Sequence, residues 1–138
     1  MSNIRQTILI RKDLNLPVGL LAAQVAHLHM ESIRYNLNKY FEEGAKFEDN
    51  HICLESNYSE WLKAPYIFVH GVPNAETLGY YLEIADRNKI EKTNWRDTVY
   101  LNVSETQRIV LKDVLIGAVL GPEDSDKIKL VIGDLPLL

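Results

Sequence analysis

Cysteine is nearly missing from this chain: Cys53 is the single one among 138 residues. No internal disulfide can therefore staple the fold, and a lone thiol fits a reducing compartment, so the cytoplasm is the expected location. Glycine and proline are sparse, at seven and five residues, which excludes a collagen-like repeat and a Pro/Gly-rich disordered tract. No stretch reaches the roughly 20 consecutive apolar residues that a membrane helix needs. The first apolar run, Thr7–Ile10, is broken at once by Arg11, Lys12 and Asp13, too soon for a signal peptide. Neither a membrane partner nor a leader is expected. Positive charge is short as well: 15 Lys and Arg stand against 19 Asp and Glu, for a net charge of −4, which opposes tight nonspecific binding of a polyanion. A local basic patch stays open, with Arg5, Arg11 and Lys12 as its candidates, because charges act over a screening length of about 8 Å.

Motifs for metals and nucleotides are missing too. His27, His29, His51 and His70, with Cys53, show no HExxH or CxxC spacing, and His51-x-Cys53 alone is too weak to hold zinc. No metal and no cofactor are expected. Gly19 and Gly121 build neither a GxGxxG nor a Walker loop. Adjacent acids at Glu42-Glu43, Glu48-Asp49 and Glu123-Asp124 point in different directions on a helix and read as solvated surface. Cys53 has no partner motif for nucleophilic work and reads as an incidental thiol. Trp61 and Trp95 read as core-edge residues, with base stacking or interface anchoring as the sharper alternative.

What is present is ordinary globular material, 46% hydrophobic and 25% charged, and the length suits one domain over residues 1–138. Thr7–Ile10 reads as a buried strand meeting solvent at Arg11. After a loop from Leu14 to Gly19, Ala22, Ala26, Met30, Ile33, Leu37 and Phe41 recur at steps of three and four. This predicts a long helix with its Ala-rich half against a sheet and Gly44 as its stop. Leu20, Gln24, His27 and Glu31 line up on another stripe, expected to face a cleft or solvent. Residues 45–63 show no clean period and are expected to form a long loop or insertion, with a short helix at its end. Pro65–Gly71 is the best strand signal, and Asn74 offers an N-cap for a helix to about Arg87. Asp97–Leu101 and Val114–Leu120 supply two more strands, and Glu123–Lys129 reads as polar and helical. The order β, α, β, α, β, β predicts an α/β fold, a small mixed sheet of about four strands with helices on both faces.

Ile10-Arg11-Lys12-Asp13-Leu14 and Gly19-Leu20-Leu21-Ala22-Ala23-Gln24-Val25-Ala26-His27 resemble the opening of type 2 peptidyl-tRNA hydrolases, in the same ungapped spacing. Thr106-Gln107 resembles that family's threonine-glutamine segment, and Val114–Pro122 with Asp126-Lys127-Ile128 resembles its last strand and terminal helix. The resemblance implies the family's fold, a tRNA or acylated RNA end as partner, and a homodimer, to which Tyr80-Tyr81 or the long loop would contribute. It also implies a site: His27, Gln24 and Thr106 as catalytic candidates, with Arg11, Lys12, Asn102 and Gln107 binding substrate. His27 fits a general base by its ordinary pKa near 6.5, and a structural histidine donating to a carbonyl is the competing reading. His29 points elsewhere on the helix and reads as core edge or surface.

Two family positions differ. The lysine that follows the glycine is matched by Leu20, and an aspartate shortly before the threonine is matched by Asn102. Hydrolysis of the ester develops charge on the carbonyl oxygen and needs an activated water, and leucine serves neither need. Two functions follow from the sequence: a divergent hydrolase of peptidyl-tRNA or a related acylated RNA, and a catalytically inactive relative that binds a protein, an RNA or a small ligand through the former cleft.

Overall fold

The computed structural model of the protein describes residues 3–42, 47–48, 51–52 and 56–138. In chain order these form β1 (Ile4–Arg11), α1 (Val18–Glu42), β2 (Phe47–Glu48), β3 (His51–Ile52), α2 (Ser56–Lys63), β4 (Tyr66–Val72), α3 (Ala75–Arg87), β5 (Lys92–Asn102), β6 (Arg108–Asp124) and α4 (Ser125–Ile132). The main sheet has the order β4-β1-β6-β5, and β2 and β3 pair separately. β1 and β4 run parallel, so the chain between them must cross over the sheet, as α1 does. β6 runs antiparallel to both β1 and β5.

Helices cover both faces, and the alternation of β1 shows why. Leu9 turns to one face and joins Leu78, Leu82, Ile128 and Ile132 from α3 and α4. Ile8 and Ile10 turn to the other and join Leu28 of α1 and Val99 of β5. A strand with apolar residues on both faces needs cover on both sides. Gly117 permits a close approach at the centre: a Cβ there would lie 2.3 Å from the Leu9 carbonyl oxygen and 3.1 Å from Leu28 Cδ1.

The cap expected at Asn74 forms, whereas Glu123-Asp124, expected as solvated surface, are drawn in where β6 meets α4: Glu123 is buried and Asp124 caps the helix. Asn74 accepts a hydrogen bond from the Thr77 amide at 2.8 Å at the start of α3. Asp124 accepts from the Asp126 amide at 2.8 Å at the start of α4. The expected short helix within 45–63 is α2, whose Trp61 is buried and donates to the Tyr66 carbonyl at 2.9 Å. Gly44, the expected helix stop, and Cys53 lie outside the described residues.

α1 is turned differently from the periodic expectation. Ala22 and Ala26 are exposed and Met30 is 60% exposed, whereas Gln24, Leu28, Ser32 and Asn36 are buried. The N-terminal half of α1 is apolar nearly all round, so period alone does not choose a face. Burial favours the side that hides Leu21, Val25 and Leu28, because larger side chains remove more apolar area from water than alanines do. Polar side chains thereby enter the interior on this face of the sheet. No helix among the described residues is long and apolar enough to cross a membrane.

Candidate functional site

β5 reads Lys-Thr-Asn-Trp-Arg-Asp-Thr-Val-Tyr-Leu-Asn, and a period of two sends Trp95, Asp97, Val99 and Leu101 to one side. That side faces α1. Val99 and Leu101 pack in the same apolar cluster as Leu28 and Leu20. Trp95 and Asp97 meet Gln24.

Gln24 is only 2% exposed, and both ends of its amide are engaged. Its Nε2 donates to Asp97 Oδ2 at 2.9 Å, and its Oε1 accepts from Trp95 Nε1 at 2.7 Å. A buried amide satisfied at both ends is locked in orientation, and it locks its partners in turn. Asp97 Oδ1 also accepts from the Thr98 amide at 2.8 Å. A carboxylate has lone pairs to spare beyond these two donors, so a half-buried Asp97 can still hold a water or a ligand hydroxyl. His27, one turn along α1 and exposed, stacks its imidazole on the Trp95 indole with centroids 5.1 Å apart and planes 18° off parallel. Gln24, His27, Trp95 and Asp97 are thus one connected group.

The remaining candidates are distributed around it. Leu20, one turn before Gln24, packs against the apolar cluster and brings no charge. The Arg11 guanidinium is taken up by Asp13, at 3.0 and 2.8 Å, and by the Leu115 carbonyl at 2.9 Å. The same pairing holds the Asp13 carboxyl below its ordinary pKa, first through the hydrogen bond from Arg11. Lys12 is exposed, and its stem crosses Gly71 of β4, where a Cβ would lie 2.6 Å from Lys12 Cδ. β4 and β5 are opposite edges of the sheet, so Lys12 stands away from Asp97.

Thr106 and Gln107 lie in the exposed turn between β5 and β6, where their amides donate to Ser104 Oγ at 3.3 and 3.1 Å. Asn102, at the end of β5, is five residues beyond Asp97, about 16 Å along a strand at ~3.3 Å per residue. The β5–β6 hairpin therefore carries Thr106 away from Gln24 and His27 and does not bring the three together. It does bring Asn102 to Arg11, on the rim of a cleft of about 500 Å³ that also touches Asp13, Leu14, Pro17 and Ile109.

His29, expected at the core edge or surface, is half-buried: its Nδ1 donates to Gln6 Oε1 at 2.7 Å and its ring leans on Trp61. Burial lowers its pKa. Asp97 is the candidate residue that sequence reasoning missed, and Trp95, read as a core-edge residue with base stacking as the sharper alternative, is half-buried and joined to Gln24. The available signal was the alternation Trp95-x-Asp97-x-Val99-x-Leu101, which shows only if the strand begins at Lys92 rather than at Asp97. Among the described residues, no group of three His, Cys, Asp or Glu side chains converges to hold a metal ion.

The group can fix a carboxylate, seat a water beside it and present an aromatic surface. It includes no Lys or Arg to neutralise a developing negative charge. The family model for peptidyl-tRNA hydrolase PTH2 matches residues 4–138. No curated protein matches the chain at a significant level.

Proposed function

Because this chain belongs to the type 2 peptidyl-tRNA hydrolase family, we propose that it cleaves the ester joining an acyl group to an RNA 3′ end at the Gln24–Asp97 pair. Family membership supports a peptidyl-tRNA hydrolase-like function with tRNA as the substrate class. The observation that carries the finer reading is the buried Gln24 amide, which orients Asp97 from one side while Trp95 fixes the amide from the other. Asp97 takes a proton from water as the water oxygen bonds to the ester carbon, and the proton passes to the ribose oxygen as the acyl–oxygen bond breaks. His27, on the Trp95 face, grips the substrate beside the ester. Arg11 and Asn102 contact substrate from the cleft rim, and Lys12, Thr106 and Gln107 are outer contacts for the RNA rather than parts of the reacting centre.

Leu20 makes this a slow enzyme. Removing one preorganised donor to an oxyanion costs roughly 10²-fold to 10³-fold in rate. Release of peptide from a defined peptidyl-tRNA, measured for the wild type, Asp97→Asn and Leu20→Lys, tests the proposal. Slow wild-type turnover should fall by about 10²-fold or more in Asp97→Asn, as for loss of a general base, and rise in Leu20→Lys. A wild type whose turnover is unchanged by Asp97→Asn would sink it.

A second reading has its own support: Leu20 sits in the apolar cluster with Leu101 and Leu111, an arrangement suited to packing rather than charge stabilisation. On that reading the protein binds an acylated RNA without cleaving it, in which case only Leu20→Lys turns over. A cytoplasmic homodimer is part of the same proposal, with Tyr80 of α3, 59% exposed, as a contact surface. Sedimentation of the wild type beside Tyr80→Glu would reveal it.

A further inference from the structure

Past the end of β1 the β5–β6 hairpin continues alone. β1 pairs with β6 only as far out as Gly117, whereas β5 and β6 stay paired to Asn102 and Arg108. One side of this projecting ribbon packs toward α1 through Val99 and Leu111. The other side is bare. The apolar cluster beneath α3 and α4 extends along β6 only to Leu115, and beyond it Thr98, Tyr100 and Asn102 of β5 and Arg108, Val110 and Lys112 of β6 are all exposed. Alternation away from Val99 and Leu111 sends these six to one face, where Tyr100 lies opposite Val110 and Asn102 opposite Arg108.

That face carries positive charge with nothing to balance it. Arg11, Arg34 and Lys92 are neutralised by Asp13, Glu31 and Asp86, and Arg96 at the foot of the ribbon pairs with Asp113 at 3.2 Å. Arg108 and Lys112 have no carboxylate partner among the described residues, and Glu105 in the turn pairs with neither. They stand four residues apart on β6, about 13 Å at ~3.3 Å per residue. Between them, on β5, the Tyr100 ring is 59% exposed. Arg108 Cζ lies 5.7 Å from its centroid, a contact that steadies the guanidinium on the face and leaves its N–H groups open. Unpaired cations spaced along a strand around an aromatic ring suit a single-stranded polyanion whose bases can stack. An acidic peptide would use the charges but not the ring.

We propose that the outer face of the β5–β6 hairpin grips the unpaired end of an RNA, with a base stacked on Tyr100 and phosphates held by Arg108 and Lys112. This rests on the reading of an acylated RNA as the ligand. β5 is an edge of the sheet, and Thr98 follows Asp97 on the opposite side of that strand. RNA held on the outer face therefore reaches Asp97 by bending round a single strand, a path that avoids the closed contact between Val99 and α1. Two local cations also reconcile RNA binding with a net charge of −4, because distant carboxylates are screened beyond about 8 Å.

Binding of a fluorescein-labelled single-stranded octanucleotide of cytidine and adenosine to the whole protein, followed by anisotropy, reads the grip without requiring turnover. Arg108→Gln/Lys112→Gln should weaken it about tenfold or more at low salt. The slope of log affinity against log salt should fall by about 1.4, since each phosphate contact on a single strand contributes roughly 0.7. Tyr100→Leu should weaken binding about tenfold, as loss of one stacked base does, with the salt slope unchanged. Lys89→Gln/Lys129→Gln removes the same charge from other exposed sites and should leave affinity within about twofold. No binding by the wild type, equal weakening in the two double variants, or displacement of the RNA by a polyglutamate peptide of matched charge would overturn the proposal, the last by making the partner an acidic protein. A failed Asp97→Asn test beside the expected binding results would remove the hydrolase reading and leave the grip. Turnover that depends on Asp97, with binding indifferent to the hairpin variants, would do the opposite.

Discussion

The two faces of the sheet solve the same packing problem with different materials. Between the sheet and the α3–α4 pair, the buried residues are mostly aliphatic: Leu9, Leu78, Leu82, Leu120 and Ile128 interlock. Between the sheet and α1, buried Gln6, Gln24, Ser32 and Asn36 interrupt the apolar cluster. Buried polar groups must be hydrogen-bonded or they destabilise the fold. Gln24 meets that requirement with Trp95 and Asp97, and in doing so fixes a carboxylate at the edge of the sheet. The aliphatic face provides cohesion and the mixed face holds the candidate site.

Substitution on the aliphatic face should have the largest effect on stability. Leu120→Ala, at a fully buried site, should cost about 3 kcal/mol, within the usual range for a buried leucine truncated to alanine. Its urea midpoint should fall while turnover per folded molecule stays unchanged. Gln24→Ala sharpens the contrast from the other side. It orphans Trp95 Nε1 and unclamps Asp97, so stability should drop by about 1–3 kcal/mol, while turnover per folded molecule should fall roughly 10²-fold, as for a misplaced reacting group. Turnover that merely followed the folded fraction would erase the distinction between the faces. At the exposed start of α3, Asn74→Ala removes the cap to Thr77 and should cost about 1 kcal/mol with no change in turnover.

The smallest effect is a pH slope on the mixed face. Burial lowers the pKa of His29, so the folded state resists a proton that the unfolded chain accepts. Stability is then fully retained above the unfolded value near 6.5 and declines as pH falls below it toward the lower folded pKa. Urea midpoints measured between pH 7 and pH 5 should decline less steeply in His29→Gln than in the wild type. Equal slopes would mean that His29 gains its proton as freely in the fold as outside it.

Much of the fold was legible because it rests on short-range pattern. The run Thr7–Ile10, the bounded segment Pro65–Gly71 and the N-cap Asn74 each carry their structural reason within a few residues. The site was legible only in part. Gln24 and His27 were visible on one helical stripe, whereas Asp97 and Trp95 emerged with the full extent of β5, a strand whose first residues, Lys92–Arg96, lack the density of β-formers that marked its end. Thr106 was grouped with Gln24 by resemblance, but the long β5–β6 pairing carries it to the far end of the hairpin.

Sequence by itself therefore determined the α/β class, the order of the main elements and the family, because hydrophobic period, caps and the Gly19–His27 motif are properties of neighbouring residues. Tertiary structure decided which face of α1 is buried, which carboxylate Gln24 holds and how far Lys12 and Thr106 stand from it. Those outcomes depend on strand register and on competition for burial between residues far apart in the chain, such as Gln24 and Asp97, which no local pattern encodes.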